Sequence, residues 1–192
     1  MKLKRSFYTR PTLIVARGLL GKYLVYKDKS ARICEVEAYV GQDDKACHAA
    51  CGKTKRNEMM FKKGGFAYIY IIYGIYHCLN ITTEKEGFPS AVLIRAVEHP
   101  EANGSVSARP SLDGPGKLCR YFGLTKTQNG LDLTKGPIYI KDRAMSDIKS
   151  DRPVATKLRH RGERPKNIIA TPRIGVDYAG KDAQLPWRFL IK

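Results

Sequence analysis

Apolar and polar residues alternate along much of the chain with the two-residue period of β-strands. This pattern predicts strands over residues 22–26, 31–40, 66–73, 75–82, 91–97, 136–141, 173–176 and 187–191. Helical spacing is confined to residues 13–20 and 116–122, with one or two further helical turns predicted over 44–50. Because the strands do not alternate with long helices, the pattern favours an α+β fold with a curved, largely antiparallel sheet and a few helices.

Two segments interrupt the pattern. Residues 101–114 are rich in Ser, Gly, Pro and Ala and are predicted to form a mobile loop, and residues 149–166 are polar and basic and are predicted to be flexible. No internal repeat occurs, and neither segment separates two apolar cores. We therefore expect a single domain over residues 1–192.

The charge balance narrows the class of partner. Thirty-five Lys and Arg against eighteen Asp and Glu give a formal net charge of +17 and a pI near 9.8. Such a chain attracts polyanions, and nucleic acid is the first expected partner, followed by an anionic membrane surface. The alternative is that the charge serves only to keep the protein soluble. The longest apolar run, residues 68–73, is too short to span a bilayer, so no membrane partner is expected.

The cysteines favour a reducing compartment. Their number, five, is odd and their spacing irregular, which is typical of free thiols. Cys47, His48 and Cys51 lie close together and suggest a zinc site as an alternative, but no second ligand pair follows at a suitable spacing. We therefore expect no metal and no cofactor.

Chemistry-bearing side chains share one face of the strand predicted over residues 31–40. Alternation puts Cys34, Val36, Ala38 and Val40 on one face, suited to a core, and Glu35, Glu37 and Tyr39 on the other. Two carboxylates and a phenol on one face are compatible with a catalytic site. They are equally compatible with a solvated strand face, which antiparallel sheets commonly have.

A second passage, residues 68–81, is predicted to form a β-hairpin that turns at Gly74. Tyr68 and Tyr70 share one strand face, and Tyr68 is interpreted as a half-buried strand residue, since tyrosine is a good strand former. Tyr73 lies beside the turn, so its ring is predicted to project from the tip. In a strongly basic chain, a projecting ring favours insertion into a DNA base stack.

These passages together resemble the alkyladenine (methylpurine, 3-methyladenine) DNA glycosylase family. The resemblance rests on the segments 35–41, 57–61, 68–81, 93–98, 114–119 and 173–176 and on His48, and it runs from about residue 13 to residue 189. It implies a monofunctional glycosylase of base excision repair, with a hairpin that enters DNA. Such enzymes flip 3-methyladenine, 7-methylguanine, hypoxanthine or ethenoadenine out of duplex DNA and hydrolyse the N-glycosidic bond.

The resemblance also implies roles for individual residues. Glu37 would be the general base that activates a water, which Arg95 and the backbone carbonyl of Ile174 would help to hold. The expected base pocket consists of Tyr39, His48, Tyr70 and Asn80, with Asn80 rejecting purines that carry a 2-amino group. Tyr73 would fill the gap in the base stack, and Glu35 would only support the site.

The remaining expectations concern DNA and the cell. The residues that the resemblance places at the DNA backbone are Lys53, Thr54, Arg56, Met60, Tyr76 and Lys117. The expected partner is double-stranded DNA containing damaged purines, bound by a monomer in the cytoplasm, on the nucleoid of a bacterium or in the nucleus of a eukaryote.

Two other classes of function stay open from the residues. One is a DNA-binding module that recognises distortion without catalysis, although Glu37 and Arg95 argue against it. The other is an RNA-binding sheet that stacks single-stranded bases on Tyr68, Tyr70 and Tyr76.

Overall fold

A computed structural model describes residues 1–98, 111–142 and 167–191. Its helices are α1 (Arg5–Tyr8), α2 (Thr12–Leu19) and α3 (Pro115–Phe122), with 3₁₀ segments at Glu58–Phe61, Lys126–Gln128 and Asp177–Gln184. Its strands are β1 (Tyr23–Tyr26), β2 (Lys29–Val40), β3 (Ala67–Ile72), β4 (Tyr76–Thr82), β5 (Ser90–Glu98), β6 (Ser111–Asp113), β7 (Ile138–Lys141), β8 (Ile168–Thr171) and β9 (Arg188–Ile191). No helix in these ranges is long and apolar enough to cross a membrane.

The strands form one antiparallel sheet centred on the long strand β2. The order along its main path is β3-β4-β5-β2-β1-β7, with β6 paired to β5 and β8 paired to β9. One edge of β2 pairs with β5, while the other pairs first with β1 and then with β9. Because β2 changes partner along one edge, the sheet curls around its concave face. The α+β fold with a curved, largely antiparallel sheet is confirmed.

Helix α2 covers the core side of this sheet. Pro11 precedes its first residue, where a fixed φ favours helix initiation, and Gly21, with φ of +80°, follows its end. Val15, Ala16 and Leu19 lie on one face and are fully buried against β2 and β5. Burial of a Val or Leu side chain contributes about 1.5–3 kcal/mol, so this face fixes the helix on the sheet.

Helix α3 packs one buried apolar face against β4 and β5, as α2 does against β2 and β5. Pro115 occupies its first turn, and Gly123 ends it in the left-handed region with φ of +69°. Leu118, Cys119 and Phe122 are buried on the side that faces the sheet. This packing supports β4, the outgoing strand of the hairpin.

Three sequence expectations are wrong. Residues 44–50 form successive hydrogen-bonded turns, with the Cys47 amide donating to the Asp44 carbonyl and the Ala50 amide to the Cys47 carbonyl, and not a helix. Residues 173–176 are an irregular loop, because the strand of this region is β8, which ends at Thr171.

The third is the loop predicted over residues 101–114. Residues 111–113 pair with β5 as strand β6, since their backbone groups complete the edge of that strand. Residues 101–110 of this loop, and the basic segment 149–166, lie outside the described residues, and Gly114 directly precedes α3.

The face assigned to Cys34 also needs correction. The register between β2 and β5 shifts on either side of Glu35, from Ile33 opposite Val97 to Val36 opposite Ile94. Such an irregularity breaks strict alternation. Ile33 therefore joins Val36 and Ala38 in the core, and Cys34 is only partly buried.

Candidate active site

Strand register brings four distant residues into one row across the concave face. Tyr68 on β3 lies opposite Asn80 on β4, Asn80 opposite Leu93 on β5, and Leu93 opposite Glu37 on β2. Residues directly opposite one another point to the same face of an antiparallel sheet. All four line one cavity.

The cavity has a volume of about 690 Å³, within the usual range for a small-molecule site. Its lining includes every residue expected in the catalytic group or the base pocket: Glu37, Arg95, Ile174, Tyr39, His48, Tyr70 and Asn80. Tyr73 and Arg56 lie at its margin together with Tyr178. The structure therefore brings together the site residues that the resemblance implied, with their chemical roles still to be tested.

Glu37 lies at the floor of this cavity and its side chain is completely buried. One carboxylate oxygen accepts the Ile174 amide at 2.9 Å and lies 3.5 Å from Nη1 of Arg95, while the other accepts the Tyr39 hydroxyl at 2.9 Å. Burial raises the pKa of Glu37, and Arg95, the Ile174 amide and the Tyr39 hydroxyl each oppose that rise. These contacts fix the direction of the carboxylate.

Arg95 is held on its other side by Glu35. Its Nε donates to a Glu35 carboxylate oxygen at 2.9 Å, and the same oxygen accepts Nε of Arg188 at 2.5 Å. Glu35 thus bridges two arginines and does not lie among the residues that line the cavity. This arrangement agrees with a supporting position for Glu35.

Aromatic rings form one wall of the cavity. The His48 and Tyr70 rings meet edge to face with centroids 4.4 Å apart, and Nδ1 of His48 is 3.0 Å from the Tyr68 hydroxyl. Burial, with a smaller effect from Arg56, lowers the pKa of His48, so the imidazole is neutral at neutral pH. Burial also raises the pKa of Tyr70 and of Tyr39, which keeps both phenols protonated.

Asn80 is held rigidly in the same wall. It is 3% exposed, and its Nδ2 donates to the backbone carbonyls of Tyr68 and Cys78, each at 3.3 Å. A side-chain amide fixed by two carbonyls cannot turn away from an occupant of the cavity. Asn80 is therefore placed to discriminate by shape.

The hairpin β3–β4 ends in a tight turn beside the cavity. The Ile75 amide donates to the Ile72 carbonyl at 3.1 Å, and the two residues between them, Tyr73 and Gly74, have φ of +52° and +69°. Two positive φ values are typical of the turn that suits a twisted hairpin. Tyr73 is 86% exposed and Ile75 68%, so the tip presents an apolar wedge to solvent.

The residues expected to contact the DNA backbone divide into two groups. Five are exposed, and of these Arg56 also lines the cavity: Lys53, Thr54, Arg56, Tyr76 and Lys117. Met60, by contrast, is 2% exposed and packs with Cys47, Ala49 and Tyr68. Its side chain belongs to the apolar support of the pocket, so the predicted contact of Met60 with the DNA backbone would be made by its main chain.

Two alternatives raised by the sequence lose their structural basis. Tyr68 is 1% exposed and Tyr70 lies inside the cavity, so Tyr68, Tyr70 and Tyr76 do not form an open stacking platform for single-stranded RNA. Within residues 1–98, 111–142 and 167–191, no three His, Cys, Asp or Glu side chains are grouped closely enough to hold a metal ion.

Sequence reasoning gave no role to several residues that build the site. Tyr178 lines the cavity mouth and is 72% exposed, and Arg188 lies opposite Glu37 across β9 and β2. Arg173 and Asp44 form a buried ion pair behind the cavity. Only Arg173 stood within a recognised segment, and nothing in the local sequence pattern signals that Asp44 is its partner.

Comparison with known proteins agrees with this geometry. Residues 6–192 match the family described as methylpurine-DNA glycosylase (MPG). Relatives provisionally named 3-methyladenine DNA glycosylase occur in Methanocella arvoryzae (47% identical, covering 99% of this chain and 92% of the relative), Sodalis glossinidius (46%, 97% and 95%) and Alkaliphilus oremlandii (42%, 100% and 96%). The chain belongs to the methylpurine-DNA glycosylase family and is a DNA glycosylase, an N-glycosyl hydrolase.

Proposed function

We propose that this glycosylase removes alkylated and deaminated purines, namely 3-methyladenine, 7-methylguanine, hypoxanthine and ethenoadenine, from double-stranded DNA. The observation that carries the proposal is the buried carboxylate of Glu37 at the floor of an aromatic cavity, 3.5 Å from the Arg95 guanidinium. A flat purine fits against the rings of Tyr39, His48 and Tyr70, and its sugar then lies toward the carboxylate.

The proposed chemistry is hydrolysis by a water that Glu37 activates. The water oxygen bonds to C1′ of the sugar, the bond between C1′ and the base breaks, and its electron pair leaves with the base. The proton of the water passes to Glu37, while Arg95 and the Ile174 carbonyl hold the water. The sugar acquires oxocarbenium character as the bond breaks, and the ionised carboxylate stabilises that positive charge.

The hairpin supports access to the base. A base inside a duplex cannot reach a buried carboxylate, so the damaged nucleotide must rotate out of the stack. The exposed ring of Tyr73, beside the cavity mouth, would occupy the vacated space. Flipping costs a few kcal/mol and costs least for a poorly paired base, which favours damaged purines.

Pocket shape supports selection among purines. Asn80, fixed by the carbonyls of Tyr68 and Cys78, would clash with an exocyclic 2-amino group on the flipped base. Because 7-methylguanine carries that group, it should be a poorer substrate than hypoxanthine, 3-methyladenine or ethenoadenine. The neutral imidazole of His48 would offer a ring nitrogen to the base edge. These contacts would make normal guanine a poor occupant.

The proposed enzyme leaves the DNA strand intact. In the described part of the chain, no lysine lines the cavity, so a water route fits the lining better than an amine nucleophile. The protein would act as a monomer on chromosomal DNA, on the nucleoid of a bacterium or in the nucleus of a eukaryote.

A product assay on duplex DNA tests this function. DNA carrying hypoxanthine, 3-methyladenine or 1,N6-ethenoadenine should lose the base, and the strand should break only after alkali or heat. Activity should survive EDTA, and borohydride should trap no covalent enzyme–DNA adduct. Undamaged duplex serves as the control, and strand cleavage without alkali, or loss of activity in EDTA, would overturn the proposal.

A further inference from the structure

A fully buried ion pair lies directly behind the candidate active site. The Arg173 guanidinium donates to both carboxylate oxygens of Asp44, at 2.6 and 2.8 Å, and both side chains are completely buried. The same guanidinium donates to the Ala38 carbonyl and to the Asp182 carbonyl, each at 3.0 Å. One side chain thus connects strand β2, the turns after it and the 3₁₀ segment Asp177–Gln184.

Stability alone is a weak reason for such a pair. The cost of removing two charges from water largely offsets their attraction, and apolar replacements of buried ion pairs are often neutral or stabilising. A guanidinium with four directed hydrogen bonds does, however, fix the relative position of the groups that it connects. Such a pair affects function where a catalytic group depends on that position.

Two of the three donors that reach Glu37 are placed by Arg173. Ile174, whose amide donates to Glu37, is its neighbour in the chain. The ring of Tyr39, whose hydroxyl donates to the other oxygen of Glu37, lies with its centroid 4.9 Å from Cζ of Arg173. Arg173 itself does not line the cavity, so apart from the attraction between the two charges it acts on Glu37 through these groups.

We propose that Arg173, held by Asp44, is a positioning residue that sets the orientation and proton affinity of Glu37 through the Ile174 amide and the Tyr39 hydroxyl. The inference rests on the proposed role of Glu37 as general base. It adds a pair of residues that touches neither the substrate nor the water, yet determines whether the carboxylate is aimed and ionised.

The groups that face Glu37 must be accounted for in any pH measurement. They are Arg95 on β5, Glu35 and Tyr39 on β2, Tyr70 on β3, Cys78 on β4, and Arg173 with the Ile174 amide on the loop after β8, while Arg188 on β9 acts through Glu35. Replacing Arg173 by lysine keeps the positive charge of this set. It removes the planar fork, because an ammonium cannot bind both Asp44 oxygens and two carbonyls in the same directions.

The test is the pH profile of single-turnover excision by Arg173→Lys on duplex DNA that contains hypoxanthine. Weaker donors to Glu37 should leave its pKa higher, so the acid limb of excision should move to higher pH. Excision above that midpoint, where Glu37 is ionised, should also fall by roughly ten- to a hundredfold, since a small misplacement of a catalytic group is costly at every pH. Affinity for the lesion duplex should change little.

Arg5→Lys is the matched control. Arg5 forms a partly buried ion pair, at 2.5 Å from Asp132 and 2.7 Å from the Gly64 carbonyl, among residues that do not line the cavity. It should lower the thermal midpoint of unfolding without moving the acid limb. If Arg173→Lys behaves in the same way, the positioning role is wrong and the pair is structural.

A second variant keeps the inference testable if Arg173→Lys does not fold. Asp44→Glu retains both charges and displaces the carboxylate by one methylene, so the acid limb should again move to higher pH, and an unchanged limb would overturn the inference. Failure of the general-base role itself is recognised separately. In that case, Glu37→Gln retains excision at all pH values, whether or not the Arg173 variants shift the acid limb.

Discussion

At the scale of single residues, the protein holds Glu37 between two opposing effects. Burial disfavours the ionised carboxylate, while the Arg95 guanidinium, the Ile174 amide and the Tyr39 hydroxyl favour it. The balance raises its pKa above the ordinary glutamate value. A base with a raised pKa is a stronger proton acceptor, and the three donors limit the rise because each favours the ionised form.

This balance predicts a measurable cost to folding. Because the pKa of Glu37 is higher in the folded than in the unfolded protein, its contribution to stability is present at low pH and is lost as the pH rises through the folded value. Glu37→Gln cannot ionise. Its Tm relative to wild type should therefore increase from pH 5 to pH 8, as measured by thermal unfolding, and a Tm difference that is independent of pH would contradict the raised pKa.

The sequence could predict part of this site. Alternation along β2 was sufficient to put Glu35, Glu37 and Tyr39 on one face. The amide of Ile174, 137 residues away along the chain, reaches the Glu37 carboxylate only through the fold. The fork of Arg173 reaches the Asp44 carboxylate in the same way. The Asp44–Arg173 pair was not predicted because nothing in the local pattern distinguishes either charge from a solvated one.

At the scale of elements, the β3–β4 hairpin carries a feature that folding does not require. Tyr73 is a large ring, 86% exposed, at a backbone position with φ of +52°. Such a conformation costs of the order of 1–3 kcal/mol for a residue other than glycine, and exposure of the ring contributes nothing to the core. The tight turn accounts for the positive φ, and the proposed insertion into DNA would account for the exposed ring.

Replacement of Tyr73 by serine should therefore separate flipping from folding. Tyr73→Ser should reduce excision from a well-paired duplex, and the loss should shrink when the lesion lies opposite a gap or bulge, where less stacking is broken. The measurements are the excision rate from the well-paired duplex and from the gapped or bulged duplex, together with the Tm of the variant. Equal losses in both duplexes together with a lower Tm would identify Tyr73 as a folding residue.

The elements themselves were predictable where local pattern decides them. Both hairpin strands, α2 and α3 lie within a few residues of their predicted bounds, because apolar periodicity and flanking Gly and Pro determine them. Cys34 was assigned to the wrong face because the register shift at Glu35 arises from pairing with β5. Strand β6 was missed because three residues of an otherwise irregular segment pair only with an edge that β5 provides.

At the scale of the whole molecule, positive charge supplies affinity and the cavity supplies chemistry. A formal charge of +17 attracts any duplex, whatever its sequence, and each neutralised phosphate releases counterions. Arg56 lines the cavity and is exposed, and Lys117 is an exposed residue of α3 that pairs with Asp113 of β6 at 2.9 Å. Both are candidates for phosphate contacts.

The salt dependence of DNA binding tests whether these exposed cations contact phosphates. Arg56→Ala and Lys117→Ala should weaken binding to damaged and undamaged duplexes alike and should reduce the slope of log affinity against log salt by about one each. Lys135→Ala is the control, since it precedes β7 at the edge of the sheet opposite the hairpin. A variant that changes lesion preference while leaving the slope unchanged would belong to the pocket.

The central claim, that Glu37 is the general base, is tested most directly by single-turnover excision of hypoxanthine by Glu37→Gln, measured alongside equilibrium binding. The variant keeps the shape of the side chain but cannot accept the proton of the water. A positioned general base contributes about 10²–10⁴-fold, so excision should fall by at least about a hundredfold. Affinity for the lesion duplex should change little.

Glu35→Gln is the matched control, because it removes a carboxylate two residues away that holds Arg95 and Arg188 and does not line the cavity. It should cost far less excision than Glu37→Gln. Excision by Glu37→Gln at near wild-type rate, or a greater loss in Glu35→Gln than in Glu37→Gln, would contradict the assignment.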